Sequence, residues 1–225
     1  MAVQANALKR RSPGVVAERA RVDQDAETRV RLVQAATSLF SRDGFSKVTV
    51  RDICEQAGAN VAAVNYHFGG KTGLYEEILQ AAVETMRATT DEAREAGLGR
   101  PPDEQLAAYI SVFLQRVFES RNSWIHQLMM RELADPTPAL DRIAEQVLRP
   151  RMDYLSAIVA ALLGCPVDDA RVKPCVLSVH AQCLAVRENP IAPRLGIERM
   201  TQEGVREMAD HIARFSIAGI KAMAR

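Results

Sequence analysis

The chain has 225 residues, of which 48% are hydrophobic, and this is enough to bury the cores of one small and one larger helical unit. No uninterrupted apolar run approaches the ~18 to 20 residues that span a bilayer, and the N-terminal segment MAVQANALKRRSP lacks an apolar signal core, so we expect no membrane contact and a location in the cytoplasm. The net charge is only +1, but residues 1–71 carry 11 Lys and Arg against 7 Asp and Glu, whereas residues 72–225 carry 18 against 21, so a phosphate-binding surface is expected in the first part alone.

The first 24 residues mix basic and polar side chains without a sustained apolar stripe. We predict a flexible basic arm over residues 1–24, which is either a solvated tail or an arm that follows DNA phosphates or enters a minor groove. The first helix is predicted from Ala26 to Arg42, with an apolar face formed by Val33, Ala36, Leu39 and Phe40. This face should cover the short helices that follow.

Two short helices joined by a glycine turn are predicted between residues 49 and 71. Thr49 can cap the first, in which apolar residues recur at helical intervals. Gly58 permits a tight turn, and Asn60 can cap a second helix from Val61 to Phe68. Two short helices that meet at such a turn are typical of a helix-turn-helix that binds DNA.

The second short helix offers side chains for reading bases. Val64 and Phe68 are assigned to the core, which leaves the opposite face for DNA. Asn65 can pair with adenine or with a backbone oxygen. Apolar contacts, such as those with a thymine methyl group, are assigned to three small residues, Val61, Ala62 and Ala63.

Phosphate contacts are assigned to residues around both helices. Tyr66 and His67 can donate to phosphate oxygens, and Lys71 adds a positive charge. The amides around Thr49, with Arg51, can hold the opposite side of the groove. Two alternatives stay open: Tyr66 can be a packing residue with its hydroxyl in water, and His67 can cap or pack rather than touch DNA.

The remainder of the chain is predicted to be helical. Thr72 can cap a long helix that links the two units, and Asp103 can cap the next one after a stretch rich in glycine and proline. Further helices are predicted at residues 123–133, 139–163, 169–186 and 202–223. The absence of strand alternation and of internal repeats predicts an all-α fold.

The run from Glu27 to Glu77, which includes LVQAATSLFSRDGFSKVTVRDICEQAG and VNYHFGGKTGLY, resembles the N-terminal DNA-binding domain of the tetracycline-repressor (TetR) family. The family's Phe-x-x-Lys ending is present as Phe68 to Lys71, but Asn65 stands where tyrosine is usual, so base preference is not carried over from other members. The segments HQLMMRELADPTPALDRI and VHAQCLAVRENPI resemble the CecR-type branch of the family. The resemblance implies a three-helix DNA-binding domain at residues 25–71 and a larger helical domain for effector binding and dimerisation at residues 72–225.

The resemblance also implies a homodimer on a palindromic operator in double-stranded DNA. The last two helices are expected to pack across a two-fold axis as a four-helix bundle, with intramolecular core as the alternative role for their apolar residues. The residues expected at this interface are Val172, Val176, Val179, Cys183, Phe215, Ile217 and Ile220.

The helical body has more apolar side chains than holding DNA requires. In the family that the chain resembles, such a body encloses a small-molecule pocket, so the resemblance implies a small-molecule effector. We expect a largely apolar ligand whose binding releases a repressor from its operator; control by a protein partner without a ligand is the alternative. Plain core packing is the competing role for the candidate pocket residues, which are Tyr109, Phe113, Phe118, Trp124, His126, Leu128 and Met129.

Metal, cofactor and catalytic sites are not expected. The four cysteines, Cys54, Cys165, Cys175 and Cys183, show neither a C-x-x-C pair nor zinc-ligand spacing, and are most simply small buried hydrophobes, with redox sensing by Cys54 or Cys183 as the alternative. An enzyme would need His126 with Glu132, or Cys183 with His180, but neither pair comes with an oxyanion turn or a nucleophile elbow. We therefore predict that the chain is not an enzyme.

Overall fold

The computed structural model describes residues 13–119, 123–186, 194, 196 and 200–224, with side chains from residue 24 onward. In these ranges the regular structure is helical and contains no strand, which confirms the predicted all-α fold. Within the described residues, every helix is too short or too polar to cross a lipid bilayer. The helices are α1 (Pro13–Asp43), α2 (Val50–Ala57), α3 (Val61–Phe68), α4 (Lys71–Gly97), α5 (Pro102–Phe118), α6 (Ser123–Ala134), α7 (Ala139–Ile143), α8 (Arg149–Leu163), α9 (Val172–Ala185) and α10 (Gln202–Met223).

The chain forms two compact units, and the boundary between them falls between Ile78 and Leu79, inside α4. The sequence placed this boundary at residue 71, where α4 begins. In the first unit, the buried face of α1 packs with α2 and α3. Phe40 on α1 meets the ring of Tyr75 on α4 edge to face, with 4.9 Å between the ring centroids.

Helix α1 begins at Pro13, so the prediction of a start at Ala26 was wrong. Proline is favoured in the first turn of a helix, because the N–H that it lacks would have no partner there. The Ala, Glu and Arg residues that follow are good helix formers and need no apolar stripe to continue the helix. Residues 13–24 are therefore helical rather than part of an arm, and residues 1–12 of the predicted arm lie outside the described residues.

Three further helices begin at residues other than those predicted. Helix α4 begins at Lys71, so Thr72 lies inside its first turn rather than at the capping position. Helix α5 begins at Pro102, so Asp103 lies inside its first turn and does not cap it. The Asp103 carboxylate instead accepts from the Lys221 ammonium of α10, 3.0 Å away. Helix α9 begins at Val172 rather than at residue 169, because Asp169 accepts hydrogen bonds from the backbone and the guanidinium of Arg171 in a preceding turn.

The long helix predicted for residues 139–163 is divided by a π-helical turn over Ala144–Leu148. In this turn the Arg149 N–H donates to the carbonyl of Ala144, five residues earlier. Pro150 follows; it has no N–H to donate, and its ring would clash with the carbonyl four residues before it. The wider turn relieves this clash, and α8 then continues through Arg151 to the left-handed cap at Gly164.

The core of the second unit is formed by α5, α8, α9 and α10. Most of the residues that the sequence assigned to a dimer interface lie in this core, so that prediction was wrong for Val172, Val176, Val179, Cys183 and Ile220, which are buried within their own chain. Ile217 is half-buried against the same core, and only Phe215 is exposed. Since α9 has apolar residues on several sides, its sequence did not show which side faces inward.

Candidate functional site

The first short helix of the DNA-binding candidate is held by a capping box. Thr49 Oγ1 accepts from the Asp52 N–H at 3.2 Å, and the Asp52 carboxylate accepts in return from the Thr49 N–H at 2.9 Å. Thr49 Oγ1 also donates to the Asp52 carboxylate at 2.7 Å, and this side-chain bond, followed by the bond from the Thr49 N–H, lowers the pKa of Asp52. The Thr49 N–H is thus already bonded within the helix, and Arg51 is the exposed cation at this end.

The turn between α2 and α3 depends on a left-handed glycine. Gly58 has φ 60° and ψ 41°, and the N–H of Ala59 returns to the Cys54 carbonyl at 3.0 Å. Nothing lies within 4 Å of a Cβ added to Gly58, so backbone conformation rather than space requires glycine here. Asn60 then caps α3, and its Oδ1 accepts from the Ala63 N–H at 2.9 Å.

Helix α3 presents one continuous exposed face. Val64 is fully buried and Phe68 is partly buried, so the core side of this helix is as predicted. Ala63 is half-buried beside the exposed face, whose members are Val61, Ala62, Asn65 and Tyr66. Tyr66 is 76% exposed, which argues against the packing alternative for this ring.

His67 and Lys71 are held more tightly than the sequence indicated. The His67 side chain is only 8% exposed, and its Nε2 lies 3.3 Å from Asp25 Oδ1 on α1. This placement favours the packing alternative for His67. The ammonium of Lys71 lies 4.2 Å from the centroid of the Phe45 ring, and partial burial lowers its pKa.

One cation near this surface was missed from the sequence. Lys47 is exposed in the turn before α2, two residues before the capping Thr49. The available signal was a basic residue just ahead of the first short helix. Lys47 and Arg51 together place two exposed positive charges at the start of α2.

A cavity of about 520 Å³ lies in the second unit. This volume is within the range of small-molecule sites. Its described lining comes from α4, α5, α6, α7, the π turn, α8 and α9, and consists of Thr85, Met86, Thr89, Phe113, Arg116, Val117, Ile125, His126, Met129, Met130, Leu133, Leu140, Ile143, Leu148, Arg151, His180, Leu184 and Ala185.

The structure brings three of the seven candidate pocket residues to this cavity: Phe113, His126 and Met129. The other four are not among its described lining. Tyr109 and Leu128 are buried in the core, where Tyr109 stacks on Phe113 with 5.8 Å between the ring centroids, and Phe118 and Trp124 are half-buried. Large, mostly apolar side chains at helical spacing are as typical of a packed core as of a pocket wall, so the sequence did not separate the two roles.

The polar group that sequence reasoning missed is Arg151. Its residue surface is only 5% exposed, Nε donates to Thr90 Oγ1 at 3.1 Å, and Nη2 donates to the Met86 carbonyl at 2.9 Å. The guanidinium carbon lies 5.1 Å from the Phe113 ring centroid, and burial lowers the pKa of Arg151. The available signal was an arginine four residues from Val147 and from Leu155, inside a buried helical stripe.

His180 faces the same cavity, and its buried Nδ1 has no hydrogen-bond partner among the residues that the structure describes. Burial, and then the charge of Arg151, lower the pKa of His180 to about 4, so the ring is neutral at pH 7. The nearby Cys183 thiol is fully buried, and burial raises its pKa to about 12. Because the thiolate is the reactive form of cysteine, a buried and protonated Cys183 thiol argues against both a catalytic pair with His180 and redox sensing by Cys183.

Comparison with known proteins gives the family. A family model described as the C-terminal domain of the HTH-type transcriptional dual regulator CecR matches residues 102–220, more than half of the chain. A second, described as bacterial regulatory proteins of the tetR family, matches residues 32–78, which include α2, α3 and most of α1's buried face.

Relatives and solved structures agree with these matches. The dual regulator CecR of Shigella flexneri is 29% identical over 164 residues, which cover 69% of this chain and 72% of that protein. The "Probable acrEF/envCD operon repressor" of Escherichia coli K12 is 31% identical over 130 residues, 57% of each chain. The solved structure of a TetR-family regulator from Streptomyces coelicolor A3 shares the fold with a TM-score of 0.63 at 19% identity, covering 84% of this chain and 90% of that one. The chain therefore belongs to the TetR family of bacterial transcriptional regulators, a family of DNA-binding proteins rather than enzymes, and its C-terminal domain is of the CecR type.

Proposed function

We propose that this regulator is a repressor that binds a palindromic operator as a homodimer and leaves it when a small, largely apolar molecule binds in the cavity. DNA contact is assigned to residues 25–71, and effector binding and dimerisation to residues 72–225. The observation that carries the proposal is the cavity of about 520 Å³, part of whose wall is formed by α4. A repressor acting on chromosomal DNA works in the cytoplasm.

The exposed face of α3 is proposed to enter the major groove. Its small residues allow close approach, and Asn65 can form a bidentate pair with adenine. Tyr66, which is largely exposed, is assigned to a phosphate. Lys47, Arg51 and Lys71 are assigned to further phosphate contacts. His67 is assigned to packing between α3 and α1, where its Nε2 lies 3.3 Å from Asp25 Oδ1.

Dimerisation is proposed through the outer sides of α9 and α10. Large apolar side chains are exposed there, namely Leu177, Phe215 and Met223. Phe215 is 64% exposed although it is aromatic, and its ring stacks on that of His211 with 6.3 Å between the centroids. Since exposed apolar patches mark interaction surfaces, a second copy of the chain is the proposed partner.

Release from DNA is proposed to act through α4. This helix begins at Lys71, at the end of the DNA-binding part, and carries Met86 and Thr89 of the cavity wall. A ligand that fits the cavity in only one arrangement of α4 shifts the population toward that arrangement. A coupling of ~1 to 3 kcal/mol is enough to change operator affinity about 5- to 150-fold.

Fluorescence anisotropy on an operator selected from random DNA tests this proposal, with small molecules screened first by thermal stabilisation of the protein. We expect at least one stabilising molecule to weaken operator binding. If stabilising molecules leave operator affinity unchanged, ligand control fails, and control by a protein partner becomes the better account. If no operator is selected, the assignment of DNA reading to α3 fails.

A further inference from the structure

We propose that the cavity takes an effector with one anionic oxygen group, of which a carboxylate is the simplest, on an apolar body, and that the guanidinium of Arg151 binds the anionic group. This inference rests on the proposed function, because it names the chemical class of the effector. It is carried by a buried positive charge that has no acidic partner within the described part of the chain.

The charge of Arg151 is not balanced by a carboxylate in the part of the chain that the structure describes. Its hydrogen bonds go to a hydroxyl and a backbone carbonyl, both neutral, and none of its described contacts is with a carboxylate. The described cavity lining contains no Asp or Glu. A buried charge without a counter-ion is costly, and arginine stays protonated in proteins, so an anion entering the cavity would supply the missing partner.

Two other basic residues of the wall, Arg116 and His180, are less suited to this role. Arg116 is already paired with Glu92 and Glu119, at 2.7 and 2.8 Å. His180 is neutral at pH 7, and its Nδ1, which has no partner among the described residues, can donate to a second oxygen of the ligand or accept from a hydroxyl, depending on the tautomer. Arg151 therefore provides the charge in this group, with His180 as a neutral neighbour.

The rest of the wall fits the apolar body of such a ligand. Methionines and leucines dominate the α6 and α7 side, where Met129, Met130, Leu133 and Leu140 line the cavity. Methionine side chains adapt to irregular shapes, so this side can accept bodies of different outline. An amphiphile with its anionic end at Arg151 would thus bury its apolar part against α6 and α7.

Arg151 also gives such a ligand a means of control. In the free protein its guanidinium ties α8 to α4, through Met86 and Thr90. A planar guanidinium that turns to form a bidentate pair with a carboxylate has to give up or bend these bonds. The ligand then differs in its contacts between two arrangements of α4, which is the condition for shifting their population.

Matched probes of different charge test the inference on the full chain. Decanoate, decanol and decylamine share one tail, and naphthoate with naphthol forms a compact aromatic pair. In calorimetric titrations at pH 7 we expect a carboxylate to bind about tenfold or more tighter than its matched alcohol, which is the size of a hydrogen bond to a charged group. In an apolar cavity without a cation, desolvation would give the opposite order.

A variant assigns the effect to Arg151. In Arg151→Met the preference of carboxylate over alcohol should disappear, whereas Arg149→Met, at an exposed and ion-paired position on the same helix, should keep it. Helix content and melting temperature are recorded for both variants. If Arg151→Met does not fold, the comparison of probes on the wild-type chain still decides, because it needs no variant.

Three results would overturn the inference: tighter or equal binding of the alcohol, tighter binding of decylamine, or no binding by either carboxylate. Operator anisotropy separates this failure from failure of the proposed function. If carboxylates bind through Arg151 but leave operator affinity unchanged, the anion site stands and ligand-controlled repression fails. If an uncharged molecule releases the operator and carboxylates do not bind, repression by a ligand stands and the anion site fails.

Discussion

Replacing Lys47 with alanine should weaken DNA binding in a way that depends on salt. Lys47 is exposed just before α2, so its ammonium is available to a phosphate. Each phosphate contact contributes about 0.9 to the slope of log affinity against log salt on B-DNA, and a homodimer loses two contacts, so the slope should fall by about 1.8. Over a fourfold rise in salt, the affinity of Lys47→Ala should therefore fall about tenfold less than that of the wild-type protein.

Fluorescence anisotropy on one labelled duplex, measured at several salt concentrations, gives this slope directly. Arg149→Ala is the matched control, because it removes an exposed charge from the other unit and should leave the slope unchanged. Lys71→Ala in the same series tests whether the ammonium above Phe45 also reaches a phosphate. An unaltered slope for Lys47→Ala would show that Lys47 does not contact a phosphate. It would also show that the exposure of a basic side chain near α2 does not identify a phosphate contact.

Three further substitutions test other parts of the account. Asn65→Ala should relax base preference at one symmetric pair of operator positions, at a cost of ~1 to 3 kcal/mol for each bidentate contact, and equal weakening across all bound sequences would show a phosphate role instead. Phe215→Glu should weaken dimerisation without loss of helix content, since the ring is largely exposed, and sedimentation of an intact dimer would place this residue outside the interface. Gly58→Ala should lower the free energy of unfolding by about 1 to 2 kcal/mol, because φ is 60° and no atom obstructs the added methyl group; an unchanged denaturation midpoint would contradict this.

The helix-turn-helix could be predicted closely from sequence because its signals are local. Thr49, Gly58 and Asn60 act within four residues of their own positions; α2 begins directly after Thr49, and α3 spans Val61–Phe68, as predicted. The exposed face of α3 follows from the same periodicity once Val64 is placed in the core. His67 was harder, because its partner Asp25 lies on another helix far along the sequence.

The second unit was predicted less well because its features depend on packing between distant segments. The cavity wall combines residues from 85 to 185, and no spacing rule shows which apolar side chains line a space and which fill one. The predicted dimer interface was wrong for a related reason. Val172, Val176 and Val179 lie on a helix with apolar residues on several sides, and only the fold shows that they face inward. Arg151 could have been noticed as a charge within a buried stripe, but its importance depends on the neutral groups that α4 places around it.

The central claim is that two copies of α3 read a symmetric operator, and selection of bound sequences from random DNA by the full-length protein tests it most directly. We expect enrichment of an inverted repeat whose half-site centres are about one helical turn, ~10 to 10.5 base pairs, or a multiple of that distance apart. Loss of this enrichment in Tyr66→Ala with Asn65→Ala, in a protein that remains folded and dimeric, would assign the reading to α3. Enrichment of a single unrepeated site, or of no sequence at all, would contradict the account.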